Sequence, residues 1–207
     1  MIRDSRLPRA VAIAAALGLA QPVLAQAAPI EAPAGGYALD TTHASLTWRV
    51  KHLGLSMYTA RFASFDSEIM LDPKTPTNSS VTVSIDANSV RTDFPFPETE
   101  DFDKVVSEKF LGARENPTIS FRSTSLKATG PTTGQLTGDL TLRGVTRPVT
   151  LDVTLNGAME HPMRKVAALG FSAKGKLKRS DFGDTFLQGP VGDEVEILIE
   201  AEYLKKP

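Results

Sequence analysis

Residues 135–157 read Gln135-Leu136-Thr137-Gly138-Asp139-Leu140-Thr141-Leu142-Arg143-Gly144-Val145-Thr146-Arg147-Pro148-Val149-Thr150-Leu151-Asp152-Val153-Thr154-Leu155-Asn156-Gly157, and this stretch decides the fold class. Leu136, Gly138, Leu140 and Leu142 fall on one parity, with Thr137, Asp139, Thr141 and Arg143 between them. After a Gly144-to-Pro148 turn the alternation resumes as Val149, Leu151, Val153 and Leu155 against Thr150, Asp152, Thr154 and Asn156. A period of two on both sides of a short Gly/Pro connection predicts two antiparallel, half-buried strands. A helix would scatter these leucines around its whole circumference. One face therefore meets water, and the apolar face meets something enclosed.

The same alternation recurs along the chain. Leu46, Trp48, Val50 and His52 predict a first strand, ended by Gly54. A second run covers Met57 to Leu71, its apolar parity changing between Phe62 and Phe65, as at a bulge. Val81, Val83, Ile85 and Ala87 predict a third strand; Ile119 and Phe121 start a fourth, with a parity change before Leu126. The opening pair supplies the fifth and sixth. Leu169, Phe171, Ala173 and Leu177 give a seventh, and Val195, Ile197, Ile199, Ala201 and Tyr203 an eighth. Phe102, Val105, Val106 and Phe110 break the pattern at helical spacing, predicting one short amphipathic helix closed by Gly112. Eight strands and one helix make the chain all-β, and both a sandwich and a closed barrel fit the alternation. Lys174, Lys176 and Lys178 on the outer parity of strand seven, against Glu194, Glu196, Glu200 and Glu202 of strand eight, predict a cross-strand ladder of opposite charge.

The N-terminus reads differently. Arg3, Arg6 and Arg9 form a basic region, Ala10 to Ala20 a short apolar one, and Ala25-Gln26-Ala27 offers small residues for cleavage. The expectation is a signal peptide over residues 1–27, cut between Ala27 and Ala28 or after Ala25. The apolar run is short of the roughly 20 residues of a spanning helix, so no membrane span is expected. Residues 28–36, rich in Ala, Pro and Gly, read as a flexible leader, and residues 37–207 as one domain. Periplasmic export follows, and with no cysteine in the chain stability must come from an ordinary core. A net charge of −1 gives no reason to expect nucleic acid.

Several blocks are similar to the YceI-like family of bacterial lipocalin-like proteins, and the likeness spans Tyr37 to about Lys205. They are Tyr37-Ala38-Leu39-Asp40-Thr41-Thr42-His43, Lys51-His52-Leu53-Gly54, Ser84-Ile85-Asp86-Ala87-Asn88-Ser89-Val90, Asn116-Pro117-Thr118-Ile119-Ser120-Phe121, Thr137 to Val149, Arg179-Ser180-Asp181-Phe182-Gly183 and Asp193-Glu194-Val195-Glu196-Ile197. The resemblance implies an elongated eight-stranded antiparallel barrel, capped by the helix, with a lengthwise apolar tunnel. It also implies an amphiphilic guest with a long tail, a polyisoprenoid such as a prenyl diphosphate or a quinone, and no other cofactor. Asp103-Lys104-Val105-Val106 departs from relatives that carry a histidine near the helix, so the guest can differ from theirs.

The inward parities nominate Leu46, Trp48, Val50, Phe62, Val83, Ile85, Phe102, Val105, Phe110, Ile119, Phe121, Leu140, Leu142 and Phe171 as tunnel residues. Phe94 and Phe96, in the proline loop before the helix, are placed to gate the mouth. His52 shares the inward parity and is either a satisfied core group or a head-group donor. Arg179 either meets a phosphate with its planar fork or pairs with Asp181 or Asp184 to pin its loop. His43 and His161 lack metal-ligand spacing, and no catalytic or metal constellation is expected. Two functions remain: a non-catalytic carrier of an isoprenoid-type amphiphile, or an envelope module with a self-filled core acting through protein partners. A homodimer is compatible with either.

Overall fold

The computed structural model describes residues 26–207; the expected signal peptide lies almost entirely outside them. Ten strands form one antiparallel sheet: β1 (Gly35–His52), β2 (Ser56–Phe62), β3 (Phe65–Leu71), β4 (Ser80–Asp86), β5 (Val90–Arg91), β6 (Thr118–Ala128), β7 (Thr133–Leu142), β8 (Val145–Glu160), β9 (Ala167–Lys178) and β10 (Val191–Lys205). The order is β10-β9-β8-β7-β6-β4-β3-β1, and β1 pairs back to β10, closing an eight-stranded barrel. β2 runs beside the second half of β1, with β5 on its far edge.

The expected single second strand is thus two. Between Phe62 and Phe65 the ladder breaks because the 3₁₀ turn Ala87–Ser89 takes the backbone groups there. The Ala63 amide donates to the Ser89 carbonyl at 2.9 Å and the Ser64 amide to its hydroxyl at 3.0 Å. β2 and β3 then diverge to different neighbours. Ala87, expected in the third strand, belongs to this turn. The expected Gly144-to-Pro148 turn is also shorter. Arg143 (φ 55°) and Gly144 (φ 75°) alone connect β7 to β8, the left-handed pair that suits strand twist in a two-residue hairpin. Val145 to Pro148 already pair with β7.

The capping segment is one α-turn, α1 (Phe102–Val105), continued as a π-turn over Val106–Phe110. Asp101 caps its start, accepting from the Lys104 amide at 3.0 Å. Gly112 at φ 64° ends it as expected. Arg143, from the β7–β8 turn, donates to the carbonyls of Lys109 (3.1 Å) and Phe110 (3.0 Å), satisfying carbonyls that a helix end leaves open.

Strand register defines two ends. The β1–β2 and β7–β8 turns, the capping segment and the β9–β10 loop gather at the helix end. The β3–β4, β6–β7 and β8–β9 connections and residues 26–34 gather at the other, the leader end. Residues 28–36, expected as a flexible leader, begin with contacts to this end of the barrel. The Ala28 amide donates to Pro131 at 2.9 Å and that of Ile30 to Pro73 at 2.8 Å, while Ile30 and Ala32 pack on the cluster of Tyr37, Ile69, Leu71 and Leu169. A larger cluster lies toward the helix end around Leu46, Phe62, Phe121, Leu140 and Phe182.

The outer face carries part of the expected charge ladder. Lys176 lies 2.7 Å from Glu194 and 3.4 Å from Glu196, and Glu196 also meets Arg49 at 2.5 Å. Lys174, however, stands opposite Leu198, and Glu200 accepts from Ser172 instead.

Candidate functional site: an apolar tunnel through the barrel

The inward side chains do not fill the barrel. A cavity of about 480 Å³ runs from His52, Phe94 and Arg179 at the helix end to Ala27, Thr77 and Thr132 at the leader end. That size lies within the range of small-molecule sites. Its wall is built by strand alternation: Leu46, Trp48 and Val50 from β1, Val83 and Ile85 from β4, Ile119 and Phe121 from β6, Leu140 and Leu142 from β7, and Phe171 from β9. Phe62 from β2 and Phe102 and Phe110 from the capping segment complete the expected wall.

Val105 is the exception among the nominated residues. Past it the backbone widens into the π-turn, and Val106, four residues beyond Phe102, takes the inner position instead. Val106 is buried, and Val105 is half-buried off the cavity. Glycine creates room for the larger rings. A Cβ on Gly138 would lie 2.3 Å from Phe121 Cζ and 2.5 Å from the Arg122 carbonyl. The inward Phe121 ring therefore occupies the space that Gly138 leaves in the neighbouring strand.

The polar wall groups are mostly spoken for. Tyr203 donates to Ser67 at 2.8 Å, and Ser67 donates to the Thr82 carbonyl at 2.9 Å, closing a chain between β10, β3 and β4. Tyr58 reaches the Thr92 carbonyl at 3.4 Å. The indole N–H of Trp48 is the one buried side-chain donor or acceptor without a partner among the described residues. His52 borders the cavity but is exposed, so it stands at the rim rather than in the core.

Arg179 has the second of its two expected roles. Its side chain is 5 % exposed and lies 3.1 Å from the Asp184 carboxylate. Nε donates to Gly192 (2.9 Å), Nη1 to Phe186 (2.6 Å) and Nη2 to Val191 (3.0 Å), and the guanidinium lies over the Phe110 ring. It pins the β9–β10 loop against the capping segment. Ser180 and Asp193 add a second tie across that loop, at 2.9 and 2.8 Å. The other two histidines organise loops. Nδ1 of His161 accepts from the amides of Met163 and Arg164, and His43 leans on Asp40 at 3.1 Å. The Thr42 hydroxyl, with help from His43, the Thr42 amide and Arg164, holds the Asp40 carboxyl down at about 2 against the opposing effect of burial. Among the described residues no group of three His, Cys, Asp or Glu side chains converges.

Sequence reasoning missed three parts of the site. The leader residues Ala27, Ala28 and Ile30 line the leader end of the cavity, and a Pro/Ala-rich run carries no periodicity to announce it. The Tyr203–Ser67 contact joins residues far apart in sequence. Leu111 joins the wall because the π-turn shifts the last residues of the capping segment.

A closed eight-stranded antiparallel barrel with an apolar lengthwise cavity defines a class of internal-ligand barrels. Residues 37–203 match the YceI-like domain, and the chain belongs to that family. It is 39 % identical over 177 residues to Protein YceI of Salmonella arizonae, covering 84 % of this chain and 90 % of that one. Among solved structures it resembles BcnA of Burkholderia cenocepacia, with a TM-score of 0.68 at 21 % identity over 79 % of this chain and 98 % of that one. It also resembles a polyisoprenoid binding domain from Saccharophagus degradans, with a TM-score of 0.56 at 14 % identity over 82 % and 98 %. At these identities the two structures speak for the fold.

Proposed function

We propose that this protein is a non-catalytic periplasmic carrier that holds the tail of an isoprenoid-type amphiphile, a polyisoprenoid, prenyl diphosphate or quinone, inside its barrel. The observation that carries this reading is the apolar cavity running from one end of the barrel to the other. Burying hydrocarbon contributes about 0.8 kcal/mol per methylene, so a long tail can bind tightly without a set of polar contacts. A core collapsed on its own side chains, as the interaction-module reading requires, would leave no such space. The polyisoprenoid binding domain from Saccharophagus degradans, which shares the fold, supports the choice of guest.

A carrier rather than an enzyme is supported by the wall itself, where most polar side chains are already bonded to neighbours. Export rests on the basic, apolar and Ala-Gln-Ala arrangement of residues 1–27. No described helix is long and apolar enough to cross a membrane. The test is native mass spectrometry of the protein recovered from the periplasm, with its N-terminus sequenced. A bound lipid mass and a start at or near Ala28 are expected. An empty barrel that takes up no isoprenoid offered to it would overturn the carrier reading.

A further inference from the structure

The exposed large apolar side chains are not spread evenly over the surface. Leu53, Leu55, Met57, Phe96, Phe186 and Leu187 all stand at the helix end, on the β1–β2 turn, the start of β2, the proline loop and the β9–β10 loop. Leu55 is 86 % exposed and Leu53 56 %. The two strand-connecting tips touch, the Leu53 amide donating to the Pro190 carbonyl at 2.7 Å. Residues 53–57, 94–97 and 185–191 carry no charge in a chain that is 23 % charged. Soluble surfaces disfavour apolar clusters of this kind unless something covers them.

Backbone conformation sharpens the point. Leu53 (φ 52°) and Leu187 (φ 50°) both sit in the left-handed region, which disfavours side chains with a Cβ and which Asn and Gly tolerate best. The Leu55 amide closes the β1–β2 turn on the His52 carbonyl at 2.9 Å, with Leu53 and Gly54 as its two central residues. Asn-Gly is the preferred pair for that turn. A leucine there is unfavourable for the backbone and again for hydration. Strain kept at a solvent-facing tip points to function rather than folding.

The patch is continuous with the cavity. Tyr58, Phe102 and Phe94 line the wall, their rings in edge or tilted contact at 6.0 and 5.3 Å, and Phe94 meets the exposed Phe96 at 6.0 Å. On the opposite side Phe110 of the wall meets Phe186 of the rim at 5.0 Å. Aromatic contacts thus run from inside the barrel out to Phe96 and Phe186 at its rim. The leader end is unlike this. Its exposed methionines, Met70, Met159 and Met163, are interleaved with Glu68, Glu160, Arg164 and Lys165, and residues 27–30 lie across its cavity.

We propose that the helix end is a membrane-docking rim: its uncharged loop tips enter the surface of a lipid bilayer and set the mouth of the cavity against the lipid. Uncharged apolar tips complement the acyl-chain boundary of a bilayer, and the exposed Asp93, Glu98, Glu100 and Asp101 that flank the proline loop give no attraction to an anionic headgroup. The proposal rests on the carrier reading for its purpose, but docking itself requires no guest.

The test is co-sedimentation of the mature protein with phosphatidylcholine vesicles, for the wild type and for the double variant Leu53→Asn, Leu55→Ser. Asn suits the left-handed position, so the variant should melt at or above the wild-type temperature and keep its cavity. Its partitioning onto vesicles should fall about tenfold or more, since each leucine removed takes apolar area from the contact. Met70→Ser, at the other end, should change nothing. Wild-type protein that stays in the supernatant overturns the proposal, as does a double variant that partitions like wild type. So does binding that needs anionic lipid and disappears in high salt. Protein that holds lipid but ignores vesicles overturns this inference alone; protein that docks but holds no lipid overturns the carrier reading alone.

Discussion

Arg179 and Asp184 pair at 3.1 Å with both side chains almost sealed from water, and the guanidinium spends its remaining reach on the carbonyls of Phe186 in the β9–β10 loop and of Val191 and Gly192 at the start of β10. A cation so engaged has little left for a phosphate. Removing one partner of such a buried pair strands the other charge, at about 3–5 kcal/mol. Arg179→Ala should lower urea stability by that order, and Arg179→Lys should rescue little, because a point charge cannot reach four acceptors at once. Loss of lipid affinity at unchanged stability would restore the head-group role instead.

Asp40 gives the protein an acid-sensitive joint. Its carboxyl is held at about 2 in the fold against an ordinary 3.8, so the folded state binds its proton later than the unfolded state. The stabilisation is complete above the unfolded value and drains away as pH falls from about 4 toward 2, amounting to about 1–2 kcal/mol. Asp40→Asn should be less stable at neutral pH and should show a flatter stability profile across that acid window. Denaturant titrations at pH 2 to 6 measure the difference. Parallel profiles for the two proteins would exclude Asp40 as the source.

Val83 lines the cavity from β4 without being fully buried. Val83→Trp should fill open space in the cavity and, if the carrier proposal holds, block lipid uptake while the melting temperature barely moves. In a packed core the same change would cost roughly 1–3 kcal/mol or more. Gly138→Ala makes the opposite case. Its new methyl would meet Phe121 and the Arg122 backbone, so stability should drop whether or not lipid is present. Thermal melts of both variants, with and without a prenyl alcohol, separate empty space from filled space.

Tail should outweigh head in recognition. His52 is exposed at the rim, whereas the wall is apolar over the barrel's length. His52→Ala should weaken binding by about 0.5–1.5 kcal/mol, the worth of one neutral hydrogen bond. Removing one isoprene unit from the guest should cost more, since several methylene equivalents leave the tunnel. Trp48, the single tryptophan of the chain, borders the cavity and can report both titrations by fluorescence. Affinities that follow the head group by orders of magnitude and ignore chain length would refute this ranking.

The barrel was legible because water and wall impose a period of two on every long strand. Leu140, Leu142, Leu151, Phe171 and Ile199 face in for that reason, and Thr141 and Asp139 face out. Parity shifts also carried meaning: the one before Leu126 matches the register irregularity between Ser123 and Ser125. The shift near Phe62 was visible, but not that it divides a strand, since the cause is Ser89, some 25 residues on. Val105 and Val106 sit side by side in sequence, and helical spacing alone cannot choose between them when a π-turn intervenes. Arg179 left two partners open, Asp181 and Asp184, because a long loop has no period to fix its geometry. The leader's seat against Pro73 and Pro131 depends wholly on distant residues.

The pairing of β1 with β10 has a consequence in time. Leu46 lies opposite Ile199 and Tyr37 opposite Lys205, so the first stave of the barrel finds its neighbour in the barrel's last strand. A chain delivered N-terminus first cannot close its wall until its C-terminal strand has emerged. Until then β1 and β9 both present unpaired edges, the situation in which strands associate with the wrong partner. Losing β10 as a whole should therefore leave no smaller barrel, but an open sheet with its apolar face uncovered.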